Sequence, residues 1–78
     1  MSTLVLELES GGCRHYVDGS PVHCGTQLQM QLGGQWINVR YEASLGSDPE
    51  NVRVMLYAIG GRIIPESDAL FRWPGGAQ

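Results

Sequence analysis

Gln27-Leu28-Gln29-Met30-Gln31-Leu32-Gly33-Gly34-Gln35-Trp36-Ile37-Asn38-Val39-Arg40-Tyr41-Glu42-Ala43 is the stretch on which the fold turns. From Gln27 to Leu32 polar and apolar residues alternate without a fault, the period of two that a strand with one buried face requires. Gly33-Gly34 breaks the run, and the alternation resumes in the next segment. Ile37, Val39 and Tyr41 then share a face directed at a core, while Trp36, Asn38, Arg40 and Glu42 share the opposite one. Two strands joined by a glycine turn make an antiparallel hairpin.

Working outward, Leu45 to Asn51 is polar and turn-rich, and reads as an exposed, mobile connector. Val52 to Ile59 is β-branched and aromatic enough for a strand whose two faces are both partly apolar, as in a central or covered position. Gly60-Gly61 reverses the chain before a short strand at Arg62-Ile63-Ile64. Pro65 to Ala69 reads as a helical turn and Leu70 to Trp73 as a closing strand, with Leu70 or Phe71 in the core, Trp73 closing one end of it, and 74–78 a frayed tail. Upstream, Leu4, Leu6 and Leu8 alternate with Val5, Glu7 and Glu9 in a first strand. Cys13 to Val17 then meets Asp18-Gly19, a dipeptide suited to the positive φ angles of a type I′ hairpin turn. Pro21 lacks an amide hydrogen, so the returning arm Ser20 to Cys24 belongs at an edge. No window shows the 3.6-residue period of a helix.

In order, Gly25-Thr26-Gln27-Leu28, Gln35-Trp36-Ile37-Asn38-Val39-Arg40 and the Gly60 to Phe71 ending resemble the pieces of an SH3-like barrel. The resemblance spans residues 25–73, about two thirds of the chain. It implies an all-β fold: a small SH3-like barrel of five to seven short antiparallel strands with a short helical turn before the last one, occupying residues 1–78 as one domain, with 1–24 an added strand and hairpin. Gly34-Gln35-Trp36-Ile37 and Leu56-Tyr57 are similar to a group of small, uncharacterised bacterial barrels. Gly61-Arg62-Ile63-Ile64-Pro65 aligns with the pore strand of the plasmid-borne type II dihydrofolate reductases, but Arg62 and Ile64 replace the glutamine and tyrosine of that family's site. Fold alone does not confer that activity.

The chain has 78 residues, five arginines, no lysine and eight acids, for a formal charge of -3. A chain this short builds one thin core. Arg14, Arg40, Arg53, Arg62 and Arg72 stand singly in the sequence, so the clustered cations of a nucleic-acid binder are missing and no nucleic-acid partner is expected. Met1 to Glu9 has no basic region and its apolar run is broken by acids, unlike a secretion signal, and no stretch is long enough for a membrane helix. A cytoplasmic location without membrane contact is expected.

Counting back from a two-residue turn at Asp18-Gly19 places Cys13 opposite Cys24. A disulfide and two buried free thiols are both open, the thiols being expected in a reducing compartment. Cys13, His15 and Cys24 lack the spacing of a zinc site, and neither His15 nor His23 comes with the oxyanion donors that thiol catalysis requires. Asp48, Glu50 and Asp68 sit where turns and caps explain them. The expectation is therefore no catalytic residue, no cofactor and no metal.

What remains is the outward set Trp36, Asn38 and Arg40, joined by Tyr57 or Met55 from the neighbouring strand. Large rings and arginine favour contact surfaces. The alternative is that the N-terminal segment or the long loop covers Trp36. The function this implies is a non-catalytic module that binds a protein partner or itself, a homodimer being plausible through an open strand edge. Two alternatives stand beside it: an enzyme whose site forms only on oligomerisation, as in the type II reductases, and a mobile-element accessory or inhibitor protein, for which a charge of -3 is modest.

Overall fold

Alternating sequence becomes alternating burial in the middle of the Gln27–Leu32 and Gln35–Ser44 strands of the computed structural model, which describes residues 1–45 and 48–76. In the first strand Leu6 is half-buried, but Leu8, expected on the same buried face, is exposed because no second layer among the described residues reaches that end of the edge strand. β1 (Val5–Glu9), β2 (Gly12–Val17) and β3 (Ser20–Val22) form one antiparallel sheet in that order. A second sheet holds β4 (Gln27–Leu32), β5 (Gln35–Ser44), β6 (Arg53–Ala58), β7 (Gly61–Ile63) and β8 (Phe71–Arg72), in the order β7-β6-β5-β4-β8. The fold is all-β, and neither sheet closes on itself. Eight strands are present among the described residues, one more than the five to seven expected of the barrel, because every segment read as a strand, the short β3, β7 and β8 included, makes a ladder.

The hairpin turns follow from residue chemistry. Asp18 and Gly19 take φ values of 51° and 80°, the two positive angles that the Asp-Gly dipeptide predicts. Gly33 and Gly34, at 60° and 80°, repeat the arrangement between β4 and β5. With those turns in place the register is fixed: Leu28 faces Val39, Met30 faces Ile37, and Gln29 faces Asn38. A one-residue slip would turn every apolar side chain of β4 to water.

The core lies between the sheets. Val17 and Val22 from the small sheet meet Leu28, Met30, Val39, Tyr41, Leu56 and Phe71 from the large one. Burying each such side chain is worth about 1.5–3 kcal/mol. Val39 and Tyr41 are buried as expected, Ile37 only half so, and Phe71 rather than Leu70 enters the core. Trp73 is half-buried, and its indole N–H donates to the Val17 carbonyl at 3.0 Å, tying the end of the chain to the small sheet. Ser2 makes a second tie, exchanging backbone hydrogen bonds of 3.0 and 2.7 Å with Phe71.

Two expected features take another form. Between Pro65 and Leu70 there is one turn, closed by the Ala69 N–H to the Glu66 carbonyl at 3.1 Å, and no helix. Pro65 brings no donor, and so few residues leave little room for a second helical bond. The 3₁₀ turns lie instead at Pro49–Asn51 and Pro74–Gly76. In the former, Asp48 accepts from the Glu50 amide at 3.0 Å and from the Asn51 side chain at 2.9 Å. Of the connector expected over 45–51 and the tail expected over 74–78, residues 46, 47, 77 and 78 lie outside the described residues.

Candidate binding surface

Strand parity places each candidate side chain. Tyr41, Leu56 and Ile63 are partners across β5, β6 and β7 and face inward, so the residues between them face outward. Trp36, Asn38 and Arg40 alternate along β5, and Tyr57 on β6 lies directly across from Arg40. The sheet therefore brings all four expected residues onto one outer face. Trp36 is half-buried, whereas Asn38, Arg40 and Tyr57 are exposed.

Trp36 is covered by a neighbour that its own strand does not supply. The Arg72 guanidinium, from β8, stacks over the indole at 4.3 Å from the ring centre. Arg72 Nε donates to Gln29 Oε1 at 2.7 Å, and Gln29 Nε2 donates to Asn38 Oδ1 at 3.0 Å, so one chain of bonds holds the arginine, the amides and the ring together. A second stack lies across the sheet, with the Arg40 guanidinium 5.1 Å from the Tyr57 ring centre and its Nε 3.2 Å from Glu42 Oε2. Tyr57 OH donates to Met55 Sδ at 3.4 Å, and Arg62 Nη1 reaches the same sulfur at 3.7 Å. Guanidinium over an aromatic face is attractive by about 0.5–1 kcal/mol at exposed sites.

Gln29, Arg62 and Arg72 are members of this surface that sequence reasoning missed. The outward parity of Gln29 was visible in the β4 alternation. The position of Arg72 was not, because β8 pairs with β4 across some forty residues of chain.

The cysteine and histidine candidates are arranged differently. The β2–β3 ladder pairs His15 with Val22 and Val17 with Ser20, so the count that would place Cys13 opposite Cys24 is in register. The ladder ends before reaching them, because the chain turns away at His23, whose amide donates to Thr26 Oγ1 at 3.0 Å. Both thiols are free; Cys13 is half-buried, whereas Cys24 is exposed rather than buried, its Sγ 3.4 Å from the Ala43 carbonyl.

His15 is buried and its Nδ1 lies 2.6 Å from Tyr41 OH. Burial holds its pKa below the ordinary imidazole value and pushes the Tyr41 phenol above its own. A neutral imidazole bonded to a neutral phenol is a satisfied core pair. Beside it opens a cleft of about 510 Å³ lined by Leu4, Val54, Ile64, Pro65 and Phe71 among others. Its lining is mainly apolar side chains, with Arg53, Glu66 and Ser67 the polar ones beside His15. Among the described residues no three His, Cys, Asp or Glu side chains gather as a metal-holding group, and no helix is long and apolar enough to cross a membrane.

No protein-family model, no curated protein and no solved structure matches the chain.

Proposed function

We infer that this protein is a non-catalytic binding module and that the outer face of the five-stranded sheet is its contact surface. The observation that carries this reading is the pair of ring-and-guanidinium stacks, Trp36 with Arg72 and Tyr57 with Arg40, on a face that, among the described residues, no other strand covers. Tryptophan, tyrosine, methionine and arginine are the residue types enriched at contact surfaces, and this face carries all four and no lysine. The part of the chain that resembles an SH3-like barrel, residues 25–73 with the β4–β5–β6 meander and its terminal strand beside β4, supplies the platform, and we read it as an open variant of that architecture.

The test is photo-crosslinking in the native host, with a benzophenone amino acid at Gln31 on this face or at Glu7 on the opposite sheet. Crosslinked products that form from position 31 and not from position 7 support the reading. Equal yields from both positions, or none from position 31, overturn it.

A further inference from the structure

The five arginines stand alone in the sequence, yet the sheet gathers four of them. Arg40 pairs with Gln27 on one side and Tyr57 on the other, Tyr57 pairs with Arg62, Arg72 pairs with Gln29, and Arg53 shares the parity of Tyr57 at the far end of β6. By register all four belong to the outer face. Glu42 is the one acid among them. Four arginines against that one carboxylate give this face a formal +3; Arg14 against the other seven acids leaves -6 elsewhere, and the two return the chain's -3. The dispersion that argued against a nucleic-acid partner is a property of the sequence order and not of the surface.

We propose that this face binds single-stranded nucleic acid: Arg72 and Arg40 swing off the Trp36 and Tyr57 rings to hold phosphates together with Arg62, and bases take their places on the rings. The inference rests on the reading of the face as the contact surface and names its partner. Three features select a nucleic acid over an acidic protein segment. The first is the rings: bases present flat π-faces to aromatic side chains and guanidinium planes, and antiparallel sheets that bind single strands stack about two or three bases this way. Trp36 and the Arg40–Tyr57 pair are four residues apart along β5, about 13 Å at the usual rise per residue, a span suited to such a run. The second is the amide row: Gln27, Gln29, Gln31 and Asn38 both donate and accept, which matches base edges, whereas a carboxylate offers acceptors alone. The third is the relief: hollows of about 310 and 280 Å³ lie on either side of Tyr57.

The experiment is fluorescence anisotropy of the full chain with fluorescein-labelled oligo-dT and oligo-rU dodecamers, a blunt duplex of equal length and a dodecamer of glutamate, from low to physiological salt. Both single strands are expected to bind more tightly than the duplex or the peptide. Log affinity should fall with log salt at a slope of about -2, since each neutralised phosphate on a single strand contributes about -0.7 and three arginines are engaged. Arg40→Gln and Arg72→Gln should each weaken binding and flatten the slope by about 0.7. Trp36→Ala should weaken binding roughly tenfold, with Trp36→Phe retaining most of it. Arg14→Gln, on the other sheet, should change nothing; circular dichroism confirms that each variant is folded. Failure of either single strand to bind at low salt, or peptide or duplex binding as tight as theirs, overturns the proposal. So does a slope unchanged in both arginine variants. Crosslinks from Gln31 that survive nuclease digestion would keep the contact-surface reading and sink the nucleic acid, so the two fail separately.

Discussion

Removing the Tyr41 hydroxyl probes the most deeply buried polar contact of the molecule. Tyr41 is 0% exposed and His15 6%, and Nδ1 of the imidazole lies 2.6 Å from the phenol oxygen. Tyr41→Phe deletes one oxygen from a filled site and leaves little cavity, so the loss comes from a buried imidazole nitrogen stranded without its protein partner. An orphaned buried polar group costs about 1–3 kcal/mol. His15→Leu does the converse and strands the phenol. For a 78-residue chain the unfolding entropy near the midpoint is roughly 160 cal/mol/K, so each kcal/mol lowers Tm by about 6 °C. Each single variant should therefore melt about 6–18 °C below the parent. The double variant, with both polar partners gone, should fall short of the summed losses by at least about 1 kcal/mol. Differential scanning calorimetry of the four proteins at pH 7.5 measures this. A Tyr41→Phe variant melting with the parent, or losses that add in the double variant, would refute the coupled core pair.

The same histidine sets a pH dependence. Burial lowers its folded pKa below 6.5, so between that folded value and 6.5 the unfolded chain binds more protons, and stability is full above 6.5 and lost as pH falls below it. Tm should decline from pH 7.5 to 5, and His15→Gln should flatten that decline; an unchanged slope in the variant would contradict the assignment. Leu56→Ala, at a fully buried position in the central β6, should cost about 2–5 kcal/mol by urea denaturation with an unchanged m-value. With Ellman's reagent the exposed Cys24 should react first and the half-buried Cys13 slowly, and equal rates would place Cys13 at the surface.

Local chemistry carried much of the fold. The unbroken alternation of Gln27 to Leu32, the Asp18-Gly19 turn and the edge position of the Pro21 strand needed only neighbouring residues to be read. Sheet order is a different matter: nothing near Phe71 or Arg72 states that they lie beside β4, and so neither the way the sheet ends nor the lid over Trp36 could be read locally. His15 was missed as a core residue for a related reason, since a histidine is buried only when some distant group satisfies it, here Tyr41. The four outward residues Trp36, Asn38, Arg40 and Tyr57 followed from strand parity. The gathering of the arginines required the pairing of all five strands of the larger sheet.

The two ties that join the ends of the chain to the rest have a consequence for the order of events in biosynthesis. Trp73 holds the Val17 carbonyl from 56 residues away, and Phe71 pairs with Ser2 from still further. Closing loops of that size costs chain entropy that only a nearly complete core offsets. While a ribosome still holds residue 73, the β4–β6 meander is free to form, but β4 has a bare edge and Leu28 and Met30 lack the cover of Phe71. Folding is completed only once Phe71 and Trp73 have left the ribosome, and until then the uncovered edge of β4 is the segment a chaperone, or another nascent copy, would meet first.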